Sequence, residues 1–208
     1  MSRGKFITFE GGEGVGKTTQ IELLVAFLQR QGLAVTQTRE PGGTEIGEAI
    51  RAVLLDKKLP AMHSDTELLL MFAARAEHVQ LVIEPALSAG DWVVSDRFAD
   101  ASHVYQGAGR GVDRTRLERL HDWTLGDFEP DLTLLLDMPV DRGMARVHQR
   151  GETDRFEEEN LIFFQRIRDA YLSRAEQYAS RFEVIDASLD IETVASQITN
   201  RIQSWLPS

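Results

Sequence analysis

The sequence predicts an α/β protein, a three-layer α/β/α sandwich built on a five-stranded parallel sheet. Three observations carry this expectation. Short runs rich in β-branched and aromatic residues recur five times, helical patterns separate them, and the first run passes through a glycine-rich turn straight into a helix. The 208 residues, 42% of them hydrophobic, suffice for one substantial core, so a single domain over residues 1–208 is expected.

The expected strands are Phe6–Phe9, Ala34–Thr38, Trp92–Ser95, Leu132–Leu136 and Phe182–Ile185, each with the near-continuous apolar character of a strand covered on both faces. Between them the apolar spacing predicts helices over Lys17–Gln31, Glu45–Leu55, Asp65–Ser88, Arg114–Leu125, Val140–Gln149, Glu158–Ser180 and Ile191–Trp205. Ligands of such sheets gather at the carboxyl ends of the strands. The densest charge cluster, Arg150 to Glu159, falls between two helical patterns and reads either as a solvated loop, as most such clusters are, or as a mobile flap over a charged ligand.

A formal net charge of −10 argues against nucleic acid as the main partner, because phosphate-backbone affinity rests on an excess of Lys and Arg. Any bound phosphate must be held by a local cluster. With no cysteine, disulfides and cysteine-ligated zinc are excluded and a cytoplasmic location is expected. No apolar run approaches the roughly 20 residues of a membrane helix. His63, His78, His103, His121 and His148 show no metal-binding spacing and read as packed or solvated.

Gly11, Gly12, Glu13, Gly14, Val15, Gly16, Lys17 and Thr18 fit G-x-x-x-x-G-K-[ST] between a strand and a helix, the context that defines a P-loop and a P-loop NTPase fold. Its backbone N–H groups and the helix terminus suit a β-phosphate, Lys17 can neutralise β and γ oxygens, and the Thr18 hydroxyl can join a Mg²⁺ shell. A GTP switch would carry N-K-x-D and D-x-x-G segments; neither occurs. At the end of the third strand, Asp96 is placed to support the metal's water shell and Arg97 to grip a second phosphate, with a structural ion pair as the alternative.

Over nearly its whole length the chain resembles the bacterial thymidylate kinases. The resemblance is carried by Phe9-Glu10-Gly11 entering the P-loop, Thr38-Arg39-Glu40-Pro41-Gly42-Gly43-Thr44, and Asp96-Arg97-Phe98 continuing to Tyr105-Gln106-Gly107. Pro130-Asp131-Leu132-Thr133 with Leu136-Asp137, and Arg150-Gly151-Glu152 ahead of Asp154-Arg155, add to it. It implies a Mg²⁺-dependent transfer of the γ-phosphoryl of ATP to dTMP by a homodimer. Arg97 would contact the acceptor phosphate, Glu13 would lie near the acceptor sugar and phosphate, and Arg39, Glu40 and Arg51 would shape the acceptor pocket. Ser102, Gln106 and Arg75 would read the thymine edge, Tyr105 would crowd the sugar 2′ position, and Phe72 would supply the stacking ring in place of Met71.

The P-loop contains no arginine, so the resemblance is to the class whose positive charge comes from a lid near residues 146–157: Arg150 first, with Arg155 nearby and Arg146 a weaker candidate. An already anionic phosphate needs no strong general base, and none is assigned. The apolar helical face from Leu68 to Val82 is expected to serve core and partner helix. The alternatives are a kinase for another pyrimidine deoxynucleotide, dUMP or dCMP, and a non-catalytic nucleotide-binding regulator.

Overall fold

The computed structural model describes residues 3–151, 155–157 and 159–206, with the backbone alone at Arg150. Five strands form one parallel sheet in the order β2-β3-β1-β4-β5: β1 Phe6–Glu10, β2 Val35–Arg39, β3 Trp92–Asp96, β4 Leu132–Asp137 and β5 Phe182–Asp186. The three central strands are buried almost throughout, as their unbroken apolar runs require. β2 and β5 depart from the expectation of cover on both faces. They are the sheet edges, and Gln37, Val184 and Asp186 reach solvent.

Helices α1 (Lys17–Arg30), α2 (Glu45–Leu55), α6 (Arg114–Leu125), α7 (Val140–Arg150), α8 (Leu161–Gln177) and α9 (Ile191–Ile202, continuing as a 3₁₀ turn to Trp205) follow the sequence pattern to within a few residues. Side-chain caps set several starts. Thr44, Asp113, Asn160 and Asp190 each accept a hydrogen bond from the backbone N–H three residues on. α1 has no such cap; it begins after Gly16 in the left-handed region, so its first amides are left for a ligand.

The single helix expected over Asp65–Ser88 is three pieces: α3 Ser64–His78, a π-helical turn Val79–Ile83, and α4 Glu84–Ala89. Pro85 explains the break, since it cannot donate to the carbonyl four residues back and the wider turn absorbs the lost bond. A further segment absent from the expectation follows β3, with α5 (Ala99–Ser102) running into a π-helical stretch His103–Gly109. Gly109 lets this stretch press on α8: a Cβ there would lie 2.8 Å from the Phe163 ring and 2.9 Å from Ile167. Two main hydrophobic clusters flank the sheet, one beneath α1 and α9, the other beneath α7 and α8. No helix among the described residues is long and apolar enough to cross a membrane.

Candidate active site

The glycine-rich turn between β1 and α1 opens at the carboxyl end of the sheet, and it leans on α7. Gly14 and Gly143 meet with no room for side chains, a Cβ on Gly14 falling 2.1 Å from the Gly143 carbonyl oxygen. Lys17 curls back over the turn and donates to the carbonyl oxygens of Gly12 at 3.0 Å and Gly11 at 3.3 Å. Burial, then the neighbouring Arg97 charge, lower its pKa from the ordinary lysine value.

Arg97 sits one residue beyond β3 with φ of 71°, a left-handed conformation that a residue with a Cβ adopts at a cost. That turn aims its guanidinium back across the sheet. Nη1 donates to the Gly11 carbonyl at 3.0 Å and to the Tyr171 hydroxyl at 3.1 Å; Nη2 donates to Glu13 Oε1 at 2.7 Å and to the Tyr105 hydroxyl at 3.0 Å. Lys17 and Arg97, from the segments that follow the first and third strands, therefore converge on one carbonyl oxygen. Burial holds the Tyr105 and Tyr171 hydroxyls well above the usual phenol pKa, so both remain protonated.

Behind this pair lies Glu10, fully buried, accepting from the Phe98 amide at 2.8 Å and the Tyr171 hydroxyl at 2.6 Å. Burial, followed by the Asp100 charge, raises its pKa from 4.5 to about 7. Between those values the folded chain holds a proton that the unfolded chain has released, so stability falls as pH rises through the window. Glu10→Gln removes the titration. Denaturation curves are expected to show wild type losing stability relative to this variant from pH 4.5 up to about pH 7; a constant gap across that range would contradict the buried carboxyl's raised pKa.

One cavity of about 810 Å³ joins these groups to a second wing. Its walls include Thr18 and Asp96 near the P-loop and Arg39, Glu40, Arg51, Met71, Arg75, Ser102, Tyr105 and Gln106 beyond Arg97. Among the described residues five buried side-chain atoms lack a hydrogen-bond partner, and three belong to residues of this wall: Asp96 Oδ1, Arg75 Nη1 and Ser102 Oγ. Buried polar atoms are nearly always satisfied, so their gathering here marks a place built for a polar ligand. Arg75 is held in place by Glu40, whose Oε2 accepts from Nε at 2.7 Å, and by the Phe98 carbonyl, which accepts from Nη2 at 3.2 Å. Gln106 commits its Nε2 to Glu67. Arg39 donates to Glu48 and Arg51 to the Pro41 carbonyl.

Comparison with known proteins points the same way. A family model described as thymidylate kinase matches residues 9–198. The chain is 52% identical to a thymidylate kinase of Ruthia magnifica over 95% of its own length and 97% of the relative's, and 51% identical to that of Nitrosomonas eutropha over 99% and 95%. The crystal structure of thymidylate kinase from Ehrlichia chaffeensis aligns with a TM-score of 0.79 at 31% identity, covering 97% of this chain and all of that one. The chain belongs to the thymidylate kinase family.

Within the thymidylate kinase fold, one expected site residue is displaced. Phe72 does not reach the cavity; it is buried with Leu68, Val112 and Leu117 and carries the Arg75 guanidinium on its face, 4.6 Å from the ring centre. Met71 lines the cavity instead. Adjacent helical residues point about 100° apart, and Met71 lies one full turn before Arg75. The side chain of Arg150 lies outside the described residues. Arg155 is turned away from the cavity, with Nε on the Leu54 carbonyl at 2.8 Å and Nη2 on Glu67 at 2.6 Å. Of the three arginines expected to supply a lid charge, Arg146 is the one whose described side chain lines the cavity, where Nη1 donates weakly to the Gly14 carbonyl. Glu10, Tyr171, Glu67 and His78 have no site role legible in the sequence. Their partners lie dozens of residues away, and the only available signal was an acidic, aromatic or imidazole group in an otherwise apolar pattern.

Proposed function

We propose that this chain transfers the γ-phosphoryl group of ATP to dTMP, producing dTDP and ADP. The observation that carries this reading is the convergence of Lys17 and Arg97 on the Gly11 carbonyl within one cavity. Two anionic tails can meet end to end only where cations from both wings share a space. Residues Gly11 to Thr18 would hold the ATP phosphates, the uncapped start of α1 adding its partial positive charge. Arg97 would exchange its Glu13, Tyr105 and Gly11 partners for the acceptor phosphate and the transferring group. With the acceptor oxygen already anionic, positioning and charge compensation supply the catalysis.

The buried, unpartnered Asp96 Oδ1 and the Thr18 hydroxyl on the same wall fit a Mg²⁺ ion with its water shell. Bound there with ATP, the ion would neutralise charge on the β and γ oxygens. On the acceptor side, Arg75 Nη1 and the Ser102 hydroxyl can meet the thymine edge, and the Tyr105 ring can crowd a 2′-hydroxyl. Residues 146–157 would act as the lid, since Arg146, Phe156 and Glu157 border the cavity, with Arg150 as the arginine reaching the phosphates. Homodimer formation belongs to the same reading. It is supported by an exposed apolar patch of α3 and α6, Leu69 with Trp123 at 84% exposure beside Arg116 and Arg119, and a monomer in sedimentation at assay concentration would overturn it.

The deciding experiment is ADP release across a panel of nucleoside monophosphates. Strong turnover on dTMP, weak turnover on dUMP and dCMP, and none on ribonucleotides is the expected result. Preference for dCMP would replace the acceptor assignment, and ATP binding without turnover on any acceptor would make the chain a nucleotide-binding regulator.

A further inference from the structure

We infer that Glu67 is a specificity-determining positioning residue: it fixes the side-chain amide of Gln106 so that the amide carbonyl is what the acceptor base meets. This rests on the reading above, in which Gln106 lies beside the base.

A glutamine amide is nearly symmetric in shape and opposite in chemistry at its two ends. Left free, it turns over to present either a donor or an acceptor, and it would serve a ring N–H or a ring nitrogen lone pair equally. That matters because thymine carries a hydrogen at N3 and cytosine carries a lone pair there. An unconstrained Gln106 would not tell them apart.

Glu67 removes the ambiguity. Its Oε1 receives Gln106 Nε2 at 2.9 Å, and a carboxylate can only accept. The amide NH₂ is therefore held against α3, which leaves the carbonyl oxygen as the group Gln106 offers to the cavity it lines. Glu67 itself cannot swing away. Its residue is 1% exposed, Oε2 takes Arg155 Nη2 at 2.6 Å, and Oε1 also takes Arg110 Nε at 3.4 Å. Its backbone amide is tied to the His63 carbonyl at the start of α3. Two arginines from different segments thus hold the carboxylate that holds the amide.

The outcome is a fixed pattern in one cavity, a carbonyl acceptor from Gln106 and the unpartnered donor Nη1 of Arg75, both residues lining its wall. A base with N3–H and a 4-carbonyl matches both. Cytosine reverses both, setting a lone pair against a carbonyl and an amino group against a guanidinium, and sites with committed polar groups discriminate strongly against such reversals.

The test compares kcat/KM for dTMP and dCMP in wild type, Glu67→Gln and Gln106→Ala. In Glu67→Gln either end of the new amide can face Gln106, so the dTMP-over-dCMP ratio is expected to fall by about tenfold, the worth of one oriented hydrogen bond, with the KM for ATP unchanged. Collapse of the ratio in Gln106→Ala with no change in Glu67→Gln would overturn the role of Glu67 alone. An unchanged ratio in both would overturn the placement of Gln106 beside the base. Equal losses on both substrates in Glu67→Gln would make Glu67 structural and refute the inference. Should that variant fail to fold, the wild-type enzyme still decides: the Gln106 side-chain amide resonances, assigned by their loss in Gln106→Ala, should include a proton shifted downfield and protected from exchange with and without dTMP. Resonances at free-glutamine positions would refute the lock.

Discussion

Replacing Arg97 with glycine should lower kcat by about 10³-fold or more while leaving the fold intact, as expected when an arginine that meets charge on a transferring phosphoryl group is removed. Glycine is the informative substitution. The residue adopts φ of 71°, so glycine keeps the turn after β3 without its steric cost, which offsets part of the lost hydrogen bonding. Circular dichroism and melting should therefore stay near wild type, and ADP release should nearly vanish. Arg97→Lys tests the fork itself: lysine keeps the charge but cannot span Gly11 and Tyr171 with one nitrogen and Glu13 and Tyr105 with the other. A loss of at least about 10²-fold is expected, between the effect of the missing side chain and wild type. Turnover within about tenfold of wild type in the glycine variant would show that Arg97 does not reach the transferring group.

The P-loop and the Asp96-Arg97 pair were legible because each is a contiguous segment whose chemistry follows from its place after a buried strand. The strands were legible for the same local reason, and only the cover over β2 and β5 was misjudged, since sheet order decides which strands become edges. Two differences between expectation and structure have opposite origins. Pro85 stood in plain view inside a helical pattern, and the apolar spacing outweighed it. Phe72 could not have been settled from spacing alone, because Met71 and Phe72 are both apolar and both within a turn of Arg75; the difference is which one finds Leu68, Val112 and Leu117 opposite.

The buried polar groups were legible least. Glu10 meets Tyr171 across 161 positions, and Glu67 meets Arg155 across 88. Such pairs leave no periodic trace, because their spacing is set by where α8 and Arg155 come to lie in the fold. They are also what aims the visible residues. Arg97 is steered in part by Tyr171, Gln106 by Glu67 and Arg75 by Glu40. A motif names the group that touches a ligand; the polar scaffold behind it fixes the direction.

That scaffold yields the largest expected effect on stability. Glu40, at the cavity wall, is committed through both carboxylate oxygens: Oε2 accepts from Arg75 Nε at 2.7 Å, Oε1 pairs with His78 Nδ1 at 3.1 Å, and His78 Nε2 meets the Thr38 hydroxyl at 2.6 Å. Arg75 is 2% exposed and His78 not at all. Glu40→Ala leaves a guanidinium buried against Phe72 and Phe98 without its counter-charge, which should cost about 3–5 kcal/mol. At about 2–4 °C per kcal/mol for a chain of this size, melting should fall by roughly 10 °C. Lost packing alone would predict that a second truncation nearby makes matters worse. An unpaired charge predicts the opposite: adding Arg75→Met to Glu40→Ala removes the orphaned cation and should recover part of the lost stability, although dTMP binding falls with the arginine. A double variant less stable than Glu40→Ala would mean that the pair acts through packing and not through charge, and Glu40 would then lose its standing as the residue that makes a buried Arg75 tolerable.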